Sequence, residues 1–161
     1  MELNPGFDAI VEDYELNEAP GIVNGVVTEI GFVSDNVTDI SPVRALVGLK
    51  ALNCTGSDGG NGILSDLSPL AGMKLTTLCC NSCKVSNLSP LAGMSLTEFE
   101  CVETQAEDLS LLKDMPLKHL SLDFNAERDT ELLRSIKTLE VINDKPAAEF
   151  WKEFEEQQKG K

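Results

Sequence analysis

The sequence predicts an α/β solenoid: a curved parallel sheet, short helical turns on its convex side and a helical C-terminal cap. Three observations carry the prediction. Leu75-Thr76-Thr77-Leu78-Cys79-Cys80 is reworded as Leu96-Thr97-Glu98-Phe99-Glu100-Cys101 and again from Leu117 as Leu-Lys-His-Leu-Ser-Leu, each 21 residues after the last. The segment Leu-Ser-Pro-Leu-Ala-Gly-Met stands verbatim at 67–73 and at 88–94. Within each unit, positions 1, 4 and 6 are apolar (Leu75, Leu78, Cys80; Leu96, Phe99, Cys101; Leu117, Leu120, Leu122) and the residues between them are mostly polar. That alternation points one set inward from a strand and the other outward.

A fixed period of roughly 20–29 residues with the form LxxLxL marks leucine-rich repeats. The whole chain, 1–161, reads as one such domain: an N-terminal cap over 1–26, repeats of 21–26 residues over 27–126, and the last repeat end with a helical cap over 127–161. In the cap, Ile10, Glu12, Tyr14 and Leu16 alternate with Val11, Asp13 and Glu15 as in a strand, and Asn24-Gly25 is a tight-turn signal before Val26–Ile30. A hairpin covering the open end of the first repeat is expected there.

The repeats begin at Val27, Leu49, Leu75, Leu96 and Leu117. The second is longer, and its extra residues fall in Thr55–Gly62, a glycine-rich insertion. Position 9 (Asp35, Ser57, Cys83, Thr104, Asn125) is mostly small and polar, suited to bonding turn backbone that the ladder leaves free. Ser41-Pro42, Ser68-Pro69 and Ser89-Pro90 predict a serine N-cap and a proline at N1 of a short helical turn, ended by Gly48, Gly72 and Gly93. So short a repeat leaves room only for single turns. Ser110-Leu111 lacks the proline. Beyond Glu127, Leu132, Leu133 and Ile136 have helical spacing, Leu139–Ile142 resembles a last strand, and a second helix is expected with Pro146 in its first turn and Ala147, Phe150, Trp151 and Phe154 as its apolar stripe.

The chain has 161 residues, 42% of them hydrophobic, which is enough for one core without metal or disulfide support. The sequence has no apolar run of membrane-spanning length, and Met-Glu-Leu-Asn-Pro-Gly lacks the basic and apolar regions of a signal peptide. A soluble, cytoplasmic protein without membrane insertion is the expectation. The net charge of −14 argues against a nucleic-acid or anionic-membrane partner, since both need a positive footprint. It suits either a solvated surface that keeps repeats from stacking on one another or a basic protein partner.

Few motifs suggest chemistry. Cys80 and Cys83 have CxxC spacing, yet the register puts Cys80 in an inward column with Cys54 and Cys101, Cys79 on the outer face and Cys83 at the turn, so a shared metal is not expected. His119, the only histidine, lies on the outer face without a placed nucleophile, so catalysis is not expected. Glu98, Glu100, Glu103 and Asp123 make an acidic patch without the ordered spacing of a calcium loop. It reads as a solvated face or as a seat for a basic partner. The sequons at Asn36, Asn53 and Asn87 arise from the repeat wording, and Gly59–Gly62 lacks the ending of a phosphate loop.

Several phrases are distinctive: residues 2–8 (ELNPGFD), 36–46 (NVTDISPVRAL), 127–143 (ERDTELLRSIKTLEVIN) and 145–153 (KPAAEFWKE). In them the chain resembles the leucine-rich-repeat regions of planctomycete-type bacterial proteins, many of which carry a serine/threonine protein kinase upstream. The resemblance implies a binding or scaffolding module, or a C-terminal regulatory or targeting segment of such a kinase. No kinase catalytic segment is present in this chain. The expectation is therefore a non-enzymatic module, without cofactor or metal, that binds a protein on its concave face around Thr76, Thr77, Cys79, Glu98, Glu100, Lys118 and His119.

Overall fold

The computed structural model describes residues 20–57 and 59–159. Among these residues eight strands form one sheet in chain order: β1 (Gly21–Val23), β2 (Val26–Gly31), β3 (Ala51–Asn53), β4 (Thr77–Cys79), β5 (Glu98–Glu100), β6 (His119–Ser121), β7 (Val141–Ile142) and β8 (Lys145–Pro146). Strands β2 to β7 are parallel; β1 and β8 close the two ends antiparallel. The parallel register follows the repeat period: Ile30, Leu52, Leu78, Phe99, Leu120 and Ile142 align in one row.

The inward columns are the core. Leu49, Leu52 and Cys54, with their equivalents at 75, 78 and 80, at 96, 99 and 101, and at 117, 120 and 122, are all buried. The helical side contributes Ile40, Leu67, Leu70, Leu88, Leu91, Leu109 and Leu112 to the same cluster. Solenoid stacking thus buries the face that no single repeat could bury alone.

Single 3₁₀ turns lie at Ser41–Ala45, Ser68–Leu70, Ser89–Leu91 and Ser110–Asp114. Their entry differs from the sequence expectation. The serine is the first residue of the turn rather than its cap, and the residue before it (Ile40, Leu67, Leu88, Leu109) has no capping side chain. The capping oxygen comes from two residues before the serine: the amides of Ser41, Ser68, Ser89 and Ser110 donate to Asp39, Asp66, Asn87 and Asp108 at 2.7, 2.8, 2.9 and 3.0 Å. A short Asx side chain reaches an amide two residues on more readily than serine reaches into so tight a turn. Gly72 and Gly93 follow their turns in the left-handed region (φ 76° and 75°), as a C-terminal glycine should. Gly48 instead gives close approach: a Cβ there would lie 2.1 Å from Val26 Cγ1.

At the N-terminal end, Asn24 and Gly25 (φ 52° and 77°) turn the β1–β2 hairpin. Its first arm is Gly21–Val23, immediately before the turn; the strand expected over residues 10–16 lies outside the described residues. At the other end, α1 (Ala126–Ser135) and α2 (Ala147–Lys159) flank a second hairpin, β7–β8, turned by Asn143 and Asp144 (φ 47° and 61°). Pro146 therefore ends β8 instead of opening α2. The stripe on α2 does pack: Phe150, Trp151 and Phe154 each stand edge-on to Phe124 at centroid distances of 5.1, 6.2 and 5.5 Å.

Position 9 performs its expected task at three repeats. Asp35 accepts from the Ser57 amide at 2.8 Å, Thr104 donates to the Cys101 carbonyl at 2.8 Å, and Asn125 caps α1. Cys83 is buried, its thiol within hydrogen-bond reach of the Cys54 carbonyl (3.2 Å) and Ser34 Oγ (3.1 Å).

Candidate protein-binding face

The outward residues of the strands form rows across the sheet. One row reads Glu29, Ala51, Thr77, Glu98, His119 and Val141; the next reads Gly31, Asn53, Cys79, Glu100 and Ser121. One position before each strand lie Lys50, Thr76, Thr97, Lys118 and Glu140, whose backbone carries the same pattern from repeat to repeat. The Lys50 carbonyl accepts from the amides of both Thr76 and Thr77, the Thr76 carbonyl from Thr97 and Glu98, and the Thr97 carbonyl from Lys118 and His119. This doubled acceptance holds the approach to each strand in step with its neighbour.

The seven residues singled out from the sequence fall on β4, β5, β6 and the positions just before them. Thr77, Glu98 and His119 are brought together: Thr77 Oγ1 donates to Glu98 Oε2 at 3.4 Å, and His119 Nδ1 is 3.7 Å from Glu98 Oε1, an ion pair only when the imidazole is protonated. Cys79 and Glu100 are direct neighbours in the adjacent row. Burial first, then the charges of Glu100 and Glu98, push the Cys79 thiol up to about 12, so it stays a neutral, poorly nucleophilic group on this face. Thr76 turns back to the Lys50 carbonyl at 3.3 Å, and Lys118 pairs with Glu140 of the following repeat at 3.0 Å rather than with Glu98 or Glu100.

Three contributors were not singled out from the sequence. Asn81 donates through Nδ2 to Glu100 Oε2 at 2.7 Å and accepts the Val102 amide at 2.8 Å. Glu140 engages Lys118. Ser82 donates to Glu103 at 2.8 Å, and the Glu103 amide donates to Asp123 at 2.7 Å, which ties the remaining acids of the patch to the edge of the sheet. The signal for Asn81 was in the sequence: it stands directly after the inward Cys80, where its side chain meets the next repeat's backbone.

The other thiols belong to the core. Burial pushes Cys54 and Cys80 well above the ordinary thiol value, and Cys101 up to about 12. Among the described residues no group of three or more His, Cys, Asp or Glu side chains is arranged to hold a metal ion. No helix among them is long and apolar enough to cross a membrane.

The one-sheet architecture with a repeat per strand, single turns behind it and a C-terminal helix has parallels among solved structures. Internalin C2 from Listeria monocytogenes is similar at 25% identity and a TM-score of 0.60, over 72% of this chain and 50% of that one. The fold is a leucine-rich-repeat solenoid. An internalin (inlF) from the same organism is similar at 23% identity, with a TM-score of 0.49 over 72% of this chain and 40% of that one. The repeat domain thus spans half the length of internalin C2 or less of inlF. No protein-family model and no curated protein matches its sequence. Leucine-rich-repeat solenoids of this kind build extended surfaces that suit protein partners.

Proposed function

We propose that the repeat domain is a non-enzymatic protein-interaction or scaffolding module that binds its partner on the sheet face, through Thr76, Thr77, Cys79, Glu98, Glu100, Lys118 and His119. The observation that carries this reading is the row Thr77–Glu98–His119 beside Cys79–Glu100: a continuous polar face, rigidly registered, whose one thiol is held neutral. With Lys118 turned to Glu140, the centre of that face is acidic, which favours a partner with a basic surface over nucleic acid or membrane. We read the chain as one cytoplasmic domain, capped over 1–26 and 127–161 and repeating over 27–126.

The test is capture from source-cell lysate with the native chain and with a Glu98→Lys/Glu100→Lys double variant. Loss of the captured partner in the variant, with folding intact by circular dichroism, supports the surface. Unchanged capture sinks it.

The resemblance of residues 127–153 to planctomycete-type repeat regions favours a second reading: a C-terminal regulatory or targeting segment of a serine/threonine protein kinase. A blot of the same lysate with an antibody against this domain separates the two. A band near 17.4 kDa fits a free adaptor, whereas a much larger band fits a segment of a longer polypeptide.

A further inference from the structure

Asn-Gly pairs occur twice among the described residues, at Asn24–Gly25 and Asn61–Gly62. An asparagine before glycine is the pairing in which the next backbone nitrogen reaches the side-chain amide carbon with least hindrance, because glycine has no Cβ. The fold treats the two pairs differently. Gly62 is buried, and its amide donates to the Ser82 carbonyl at 3.0 Å. A Cβ on Gly62 would lie 2.7 Å from that same oxygen and 2.8 Å from Ser34 Oγ, so the backbone has no room to swing. Asn61 Nδ2 is itself engaged with Ser57 Oγ at 3.2 Å.

Asn24 and Gly25 are both exposed at the tip of the β1–β2 hairpin. Nothing lies within 4 Å of the place a Cβ would take on Gly25, and no described residue accepts its amide proton. The left-handed backbone at Asn24 must rotate to bring that nitrogen over the side chain. β1 allows this, being three residues long and leaving Ile22 and Val23 exposed.

We propose that Asn24–Gly25 is a site of spontaneous deamidation and that the fold shields Asn61–Gly62 from the same reaction. The Gly25 nitrogen attacks Cγ of Asn24; the new N–Cγ bond forms as the Cγ–Nδ2 bond breaks, and ammonia leaves with the displaced proton. Water then opens the cyclic imide at one of its two carbonyls, giving aspartate or isoaspartate at position 24. The net change is ammonia lost and water gained, with no oxidant or reductant. Isoaspartate routes the main chain through Cβ and lengthens a two-residue turn whose geometry is matched to its strands. The modification therefore adds a negative charge and unpairs β1 from β2 at the end of the sheet.

The experiment ages the full-length protein in mildly alkaline buffer and follows both sites by peptide mass mapping, with isoaspartate read by enzymatic methylation. In the native protein the Asn24 segment converts at least about fivefold faster than the Asn61 segment, the factor set by loss of one net backbone hydrogen bond. In denaturant the two rates converge. Asn24→Gly, which keeps the left-handed turn, removes the mass gain from its own segment and leaves the slow Asn61 reaction as it was. Hydrogen exchange shows protection lost at Gly21–Val23 in the aged protein alone. Equal native rates, Asn61 converting first, or a gap that persists in denaturant would each overturn the proposal.

Discussion

Asn81 and Glu100 are coupled across the boundary between two repeats. The Asn81 amide donates to the Glu100 carboxylate at 2.7 Å while its oxygen accepts the Val102 amide at 2.8 Å. One side chain thus both closes the backbone ladder and aims an acid of the candidate face. Asn81→Ala is expected to lower stability by about 1–3 kcal/mol through the unpaired Val102 amide. Urea denaturation checks this: the midpoint falls while the slope stays constant. Asn81→Asp keeps the acceptor but sets like charge against Glu100, so its midpoint should rise with added salt.

Phe99 is the largest fully buried side chain among the described residues and occupies the middle of the inward row. Phe99→Ala is expected to cost roughly 3–5 kcal/mol, the usual range for a core aromatic. Thermal melts of Phe99→Ala and Phe99→Leu should rank in that order of damage.

At α1, Asn125 Oδ1 accepts the amides of Glu127 and Arg128 at 3.0 and 3.1 Å, and the buried Asp129 carboxylate accepts the Asn125 amide at 2.8 Å while pairing with Arg128. Asn125→Ala should cost about 1 kcal/mol, as helix caps do. Asp129→Ala should cost more, because it strips both the cap and the guanidinium of their partner. Chemical denaturation of the two variants gives the ranking directly.

The thiols predict an alkaline limit. Cys54 and Cys80 are pushed up by burial, so the folded chain keeps protons that the unfolded chain loses above roughly pH 8.5. With the folded value raised, stability is fully present below the unfolded value and falls as pH rises beyond it, on the order of 1 kcal/mol per pH unit for each thiol. Denaturation midpoints measured from pH 7 upward should fall, and a Cys54→Ala/Cys80→Ala variant, though less stable at neutral pH, should show a shallower decline.

The insertion in the second repeat is pinched at its neck. A Cβ on Gly56 would lie 2.4 Å from the Ser82 carbonyl and 2.5 Å from the Gly62 nitrogen. Gly56→Ala should therefore destabilise more than excising residues 57–61, which joins ends that already touch and gives up the Asp35–Ser57 contacts. Comparing the melting temperatures of the two variants decides the point.

Much of this was legible because a strand with period two and a repeat of 21 residues leave little freedom: Leu78, Phe99 and Leu120 could only stack, and Cys80 could only join Cys54 and Cys101 inside. The same register placed Thr77, Glu98 and His119 in a row. What escaped were choices made by short polar side chains. Serine before proline is the usual signature of a cap, yet Asp39, Asp66 and Asn87 reach the serine amides first. Asn143-Asp144 carries a weaker tight-turn signal than Asn24-Gly25, since it lacks the glycine that takes a positive φ without strain, and it sits between two-residue strands too short to show a period, with β8 hidden behind Pro146. Lys118 turning away to Glu140 depended on the length of two flexible side chains, which spacing alone does not encode.

The strands lie in the sheet in the order in which they occur along the chain, each beside the one made just before it. During synthesis, then, every new repeat leaves the ribosome next to a finished template, and no strand waits for a distant partner. From β2 to β7 the pairing distance is one repeat at every step, and the hairpins at the two ends pair over only a few residues, so closing each loop between repeats costs about the same entropy. Assembly can proceed vectorially at the pace of translation, and the edge exposed at any moment is the growing one.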